Sequence, residues 1–318
     1  MSVSGLTGLF QTVVAAANEA VQVLAPTHAA SGLVYTDHQP EQAVLGQTLN
    51  VPLPADPSAY TSDIGSGDLV MNERTAATVP IVLQYHPSDA YPIRDFDQYR
   101  TPTRLRTLFL DGAIKGIQNH INRAICNLFT TANFTTNSAI SCTGGGMTLT
   151  QFTGARAVLS DQFVAVNDAA NMSCLLPSVP YNKILDATTG GIGAAWSQAF
   201  IAGNAYAEET RSTGKVPTAL STRFFLDQQM PTTGAVGSRT FTGAYFHKWA
   251  VALATRPLYT DPVSEKSCEV TYFDFNGISI RIMVSFNHIK QAPVISVDAG
   301  YGLAVVRENM GVLFTIAE

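Results

Sequence analysis

The sequence predicts an α+β fold, and three observations carry that prediction. Residues 100–130 read as one long amphipathic helix. Residues 270–286 read as a β-hairpin, with strict alternation along its second strand. Between them, short helical and strand-like segments alternate over 152–254.

In the long helix, Leu105, Leu108, Phe109, Ala113, Ile117, Ile121, Ala124, Ile125 and Leu128 recur at helical spacing. Arg104, Arg106, Asp111, Lys115, Asn119, Asn122 and Arg123 occupy the opposite face. Thr101 is placed to cap the start, with Pro102 first in the helix, where its missing N–H costs nothing. At 1.5 Å per residue the element spans roughly 40 Å, long enough to act as a spine.

In the hairpin, Asn276-Gly277 supplies the two positive-φ positions of a tight turn. Ile278, Ile280, Ile282, Val284 and Phe286 alternate with Ser279, Arg281, Met283 and Ser285, which predicts a half-buried strand. Strands are also expected at 79–85, 173–176, 224–226, 249–254, 303–307 and 312–316. Further helices are expected around Phe152, Ala155, Leu159, Phe163 and Val166, over 180–187, and over 196–206. Residues 88–98 read as a polar and aromatic turn, and 131–147 as a linker rich in Thr, Asn, Ser and Gly.

The first eighty residues have a different texture. Leu6, Leu9, Phe10, Val13, Val14, Ala17, Val21 and Leu24 form a helical stripe that Pro26 stops. Its polar face has no Lys or Arg, so it suits packing on protein better than lying on a membrane. Residues 25–80 interleave Pro and Gly with short apolar pieces such as 44–45 and 69–71, which could pair as a long hairpin. Tyr35, Leu45, Leu53, Tyr60 and Ile64 make this stretch too apolar for a disordered tail. It reads as an extended arm that orders against neighbouring subunits.

Composition excludes several function classes. Charged residues are 14 % of the 318, well under the usual quarter, although 46 % are hydrophobic. A surface so poor in charge favours an oligomer whose copies cover one another. The first 73 residues hold seven acids and neither Lys nor Arg, so no basic arm grips nucleic acid. No apolar run is long enough for a membrane helix. Nothing at the start resembles a secretory signal.

Chemical motifs are also lacking. Cys126, Cys142, Cys174 and Cys268 show no metal or redox spacing and read as small buried hydrophobes. Gly144-Gly145-Gly146 and the 190–193 glycines lack the context of a phosphate loop. Asp95 and Asp97 are better explained by Arg94, Arg100 and the helix start than by a metal. His28, His38, His86, His120, His247 and His288 form no ligand motif, and there is no Gly-x-Ser-x-Gly elbow. Asn133 and Asn171 head glycosylation patterns that matter only in a secreted chain. The expectation is no catalytic residue, no cofactor and no metal. The densest basic cluster, Arg100, Arg104, Arg106 and Arg123, reads as pairing with the acidic arms of neighbours.

The order of elements resembles the major capsid proteins of tailed bacteriophages. Four stretches carry the resemblance. They are P-I-V-L-Q-Y-H-P-S-D-A-Y-P-I-R-D-F-D-Q at 80–98, the helix of 100–130, F-H-K-W-A-V-A-L-A-T-R-P-L at 246–258, and I-S-V-D-A-G-Y-G-L-A-V-V-R at 295–307. The resemblance implies an N-terminal arm over 1–40 and an extended loop over 41–80. It also implies a peripheral domain over 79–130 and 268–318, with the spine helix on an antiparallel sheet, and an inserted axial α/β domain over 131–267.

The function so implied is an icosahedral shell of pentamers and hexamers enclosing double-stranded DNA. Location would be the virion, with assembly in the host cytoplasm. Implied partners are other copies, a separate scaffolding protein, a portal and decoration proteins, with packaged DNA nearby and no membrane. Interface candidates are Tyr60, Arg74, Arg94, Asp97, Arg100, Arg104, Arg106 and Arg123.

Two departures matter. The first Lys is Lys115, so the loop lacks the amine that some family members use for an isopeptide crosslink. The arm helix begins almost at Met1, leaving no room for a fused scaffold. The alternatives are an encapsulin-like nanocompartment shell and a soluble α+β hydrolase.

Overall fold

The computed structural model describes residues 29–36, 48–53, 77–92, 102–185, 220–256, 258, 268–275, 278–290 and 292–318. Among these it is a mixed α and β structure with three α-helices and four sheets. The expected helices at 6–24 and 196–206, the 188–193 loop and the 44–45/69–71 pairing lie outside the described residues.

Helix α1 (Pro102–Cys126) opens on proline as expected and covers 25 residues, about 37 Å. Leu110, Ala113, Ile114, Ile117, Ile121 and Ile125 are buried along it. Leu110 and Ile114 belong to this stripe although the sequence reading left them out. Asn122, expected on the polar face, is buried instead. The stripe shares one core with Ile278, Ile280, Ile282 and Val284 of strand β11 (Ile278–Asn287) and with Ile295 and Val297.

That strand lies in a four-stranded antiparallel sheet of order β10-β11-β12-β3, with β10 at Cys268–Phe275, β12 at Ala292–Asp298 and β3 at Ser88–Pro92. The alternation read from sequence is reproduced as far as Ser285: Ile278, Ile280, Ile282 and Val284 are buried, and Ser279, Arg281, Met283 and Ser285 are half-buried, whereas Phe286, expected on the buried face, is exposed at the strand's end. A one-residue slip would invert this face, so the hydrophobic pattern sets the register. The turn at 276–277 lies outside the described residues. Strand β3 corrects the reading of 88–98 as a turn. Tyr91 pairs with Ile295 and Asp89 with Val297, so partners distant in sequence make a polar stretch extended.

The second core sits under a six-stranded mixed sheet of order β4-β14-β8-β5-β6, with β7 also on β8. Its strands are β4 (Ile140–Cys142), β5 (Met172–Leu176), β6 (Arg223–Leu226), β7 (Thr232–Thr233), β8 (Thr240–His247) and β14 (Gly311–Ala317). Strand β14 pairs antiparallel with β8 and parallel with β4. The final strand therefore joins elements of the 131–267 region, whereas the sequence reading grouped it with the hairpin. Strand β4 likewise shows that the 131–147 stretch is more than a linker.

Helices α2 (Leu149–Asp161) and α3 (Ser178–Leu185) contribute to this second core. A capping box starts α2: the Gln151 N–H donates to Thr148 Oγ1, and the Thr148 N–H donates to Gln151 Oε1. The helix stops before Phe163. The Phe163 N–H donates to Ser160 O at 3.0 Å and the Val164 N–H to Leu159 O at 3.1 Å, with Phe163 at φ 58°. This is a Schellman motif. It corrects the reading of Phe163 as part of the helix's apolar stripe.

Two ribbons complete the fold. Strands β1 (Thr48–Leu53) and β2 (Ala77–Val82) pair antiparallel, and so do β9 (Val251–Arg256) and β13 (Gly300–Val305). A short 3-10 turn at Lys248–Ala250 precedes β9, where the sequence reading began the strand. The ribbons share a small core of Val51, Ile81, Leu83, Ala252, Ala254 and Val306. Gly302 lets them approach: a β-carbon there would lie 2.4 Å from the Val82 carbonyl oxygen. Tyr35 bridges to Ala252 along β9 and stacks on Trp249, with ring centroids 4.1 Å apart.

Candidate assembly surfaces

Helix α1 presents an outward face of Gly112, Lys115, Gly116, Asn119, Arg123 and Asn127, all exposed. A β-carbon built at Gly112 or Gly116 meets nothing within 4 Å, so this face is open. Glycine inside an exposed helix costs roughly 1 kcal/mol each against alanine. The face is cationic through Lys115 and Arg123. Arg104 and Arg106 lie in the first turns of α1, and their side chains are outside the described residues. Tyr60, Arg74, Arg94, Asp97 and Arg100 also lie outside them, as does Asp95. Of the expected interface residues, Arg123 is thus the one whose side chain is described.

Helix α1 is tied to the loop after β6 by a polar node that runs from buried Asn122 to exposed Asn119. Asn122 Nδ2 donates to Asp227 Oδ2 at 2.8 Å and to Gln229 Oε1 at 3.0 Å. Gln229 Nε2 donates to Asn119 Oδ1 at 3.1 Å. Burial, with Asp227 beside it, holds the Cys126 thiol far above its ordinary range, so it stays protonated. Burial pushes Cys142 up to about 11 and raises Cys174 as well. None of the four cysteines is in a disulfide, and three of them are buried. Cys126, Cys142 and Cys174 have neither the exposure nor the thiolate character of nucleophiles.

A second buried polar contact fixes the four-stranded sheet. Arg281 Nε and Nη2 donate to the two oxygens of Asp298 at 3.0 and 2.7 Å. The side chains are 11 % and 5 % exposed. Arg281 Nη1 also donates to Leu258 O at 3.2 Å. Such a bidentate pair specifies geometry as well as adding energy.

At the end of β8, His247 Nδ1 accepts from the Trp249 N–H at 3.3 Å, and Nε2 lies 4.0 Å from Asp168 Oδ2. Burial lowers the His247 pKa below its ordinary value, and the charge of Asp168 opposes that shift only in part. Asp168 itself is held low, first by the hydrogen bond from Asn171. Among the described residues no three His, Cys, Asp or Glu side chains come together to hold a metal ion. No helix among them is long and apolar enough to cross a membrane.

Exposed apolar side chains stand out instead. Phe163 is 98 % exposed, Ile289 94 % and Val236 76 %. Phe286 and Ile289 flank the β11–β12 turn, where Asn287 Oδ1 accepts from the backbone N–H of Ile289 and Lys290. Leu220, also exposed, and Ser221 have positive φ like Phe163. The Arg156 guanidinium donates to both Leu220 O and Asn167 Oδ1, joining α2, the loop after it and the Leu220 turn. Sequence reasoning named none of these as surface points. The available signal at Phe163 was an aromatic residue where a helix end normally takes glycine.

No protein-family model matches the sequence, and no curated relative matches it. Solved structures do resemble the fold. A structure from Mycobacterium phage Che8 aligns with TM-score 0.58 at 12 % identity, covering 91 % of each chain. The capsid of Ralstonia phage GP4 aligns with TM-score 0.50 at 12 % identity, covering 92 % of this chain and 90 % of that one. The capsid of an empty gene-transfer-agent particle, with C5 symmetry, aligns with TM-score 0.50 at 11 % identity over 91 % of each. The mixed α and β architecture thus shares its fold with these phage and gene-transfer-agent structures, aligned over about nine-tenths of the chain.

Proposed function

We propose that the chain is a major capsid protein that self-assembles into an icosahedral shell around the double-stranded DNA of a tailed phage. The observation that carries this reading is the capsid fold over about nine-tenths of the chain and of its structural neighbours. Two features of the sequence support it. Charge is scarce, and several large apolar side chains stand exposed on the isolated subunit. The first 73 residues are acidic without a single base, which keeps packaged DNA from adhering to the wall.

On this reading 1–40 is the arm and 41–80 the extended loop. Helix α1 and the β10–β11–β12–β3 sheet form the peripheral domain. Residues 131–267 form the axial domain, with β14 completing its sheet. The outward face of α1, cationic through Lys115 and Arg123, receives the acidic arm or loop of a neighbour. Arg104, Arg106, Arg74, Arg94, Asp97, Arg100 and Tyr60 serve the same contacts. The role is structural, without catalysis, and the site of action is the virion shell, assembled in the host cytoplasm. Partners are copies of itself in rings of five and six, with a separate scaffold, a portal and decoration proteins. Many weak contacts per subunit suffice for a closed shell.

Electron microscopy of the purified protein, alone and co-expressed with its neighbouring genes, tests the proposal. Closed particles protecting DNA from nuclease support it. Particles filled with a protein cargo point to a nanocompartment, and a monomer under every condition sinks both.

A further inference from the structure

Phe163 breaks a local rule at a place where the isolated subunit gains nothing from it. It fills the left-handed position of the Schellman motif that ends α2, where glycine is the ordinary choice because a β-carbon is strained there. Its ring is 98 % exposed, so folding recovers no burial from it. A violation of local preference at an exposed aromatic points to a role outside the fold of one chain. Leu220 and Ser221 hold the other positive-φ non-glycine conformations among the described residues. All three lie on segments that Arg156 gathers.

Strand register places these residues. Met172 of β5 pairs with His247, at the end of β8 opposite Thr240. Helix α2 starts beside the end of β14, where the Gly145 N–H donates to Ala317 O at 2.6 Å, and runs toward the start of β5. Leu220 precedes β6, whose Arg223 pairs with Ser173 of β5. Phe163 and Leu220 therefore sit at one end of the six-stranded sheet. Val236, 76 % exposed, sits in the β7–β8 turn at the other end, where Glu318 Oε2 accepts from the Gly237 N–H at 2.9 Å. Unlike apolar points at opposite ends of one body suit a head-to-tail contact, which forms a ring where the rotation between copies closes. One aromatic ring covers roughly 200 Å², far below the roughly 800 Å² per partner of a stable dimer. The contact is thus one anchor in a repeated assembly.

We propose that Phe163 and Leu220 dock against a second copy of this chain, receiving the Val236 turn, so that copies join head to tail through opposite ends of the six-stranded sheet. This rests on the capsid reading above.

The test compares wild type with Phe163→Gly and Phe163→Ala, by Tm of unassembled subunits and by particle yield. Glycine relieves the left-handed strain, so Phe163→Gly raises Tm by about 1–2 °C. Both variants raise the concentration needed for assembly about tenfold or more, because a buried ring is lost. Normal assembly by Phe163→Gly overturns the contact. A lowered Tm in Phe163→Gly overturns it too, since the ring would then be covered by its own chain. In particles of a Phe163→Cys/Val236→Cys double variant, disulfide-linked oligomers are expected, with none in either single variant. Intact particles lacking those oligomers contradict the head-to-tail pairing. Wild-type protein that never forms particles overturns the capsid reading itself, and this contact with it.

Discussion

Replacing Arg281 by Met keeps the side-chain stem but removes the guanidinium from Asp298. In the native chain Asp298 is 5 % exposed on its side chain and receives two donors, at 3.0 and 2.7 Å. His86 Nε2 also lies 3.9 Å from Asp298 Oδ2, but a 44 % exposed imidazole cannot replace a bidentate partner. Arg281→Met thus leaves a buried carboxylate largely without compensation, and breaking such a pair costs about 3–5 kcal/mol. At an unfolding entropy of roughly 2.1 cal/mol/K per residue, that corresponds to a Tm lower by about 5–8 °C. A urea or thermal melt of the unassembled subunit measures it. The companion is Arg281→Met with Asp298→Leu, where removal of both charges recovers most of the loss. Two results would refute the reasoning: a single-variant loss under about 1 kcal/mol, or a double variant as unstable as the sum of its singles.

Two further outcomes follow from the same structure. Gly302→Ala places a methyl group 2.4 Å from the Val82 carbonyl oxygen and 2.9 Å from its carbon, so backbone must yield and the two ribbons separate. The expected loss is about 2–3 kcal/mol, and a Tm equal to wild type would contradict the close approach. His247 has a folded pKa below its ordinary 6.5, so the unfolded chain takes up its proton first. Its contribution is complete above about pH 6.5 and is lost as pH falls toward the lower folded value. The urea midpoint should therefore drop over that interval in wild type and change less in His247→Gln; matching profiles would argue against burial as the cause.

The sequence was legible where one face of an element is buried against a single partner. Ile278, Ile280, Ile282 and Val284 alternate because one side of β11 meets the core. The rhythm of Ala113, Ile117, Ile121 and Ile125 reports the stripe of α1. Legibility failed where a distant partner decides. Residues 88–92 have no strand pattern of their own and are extended because β12 lies beside them. Strand β14 reads like any apolar strand, and only its pairing with β8 and β4 shows which sheet it enters. Asn122 sits at a polar-looking position, yet Asp227, 105 residues away, makes it a buried donor. Phe163 continued the spacing of Phe152, Ala155 and Leu159, but a hydrogen-bond motif ended the helix two residues earlier. Arg123 is exposed on α1 as its periodicity suggests, whereas at Phe163 the periodicity pointed to the wrong face.

A three-dimensional electron-microscopic reconstruction of the assembled protein tests the central claim most directly. The account predicts closed icosahedral particles in which copies of this fold form five- and six-fold rings, with Phe163 and Val236 of adjacent copies in contact. A protein that stays monomeric when co-expressed with its neighbouring genes would contradict it.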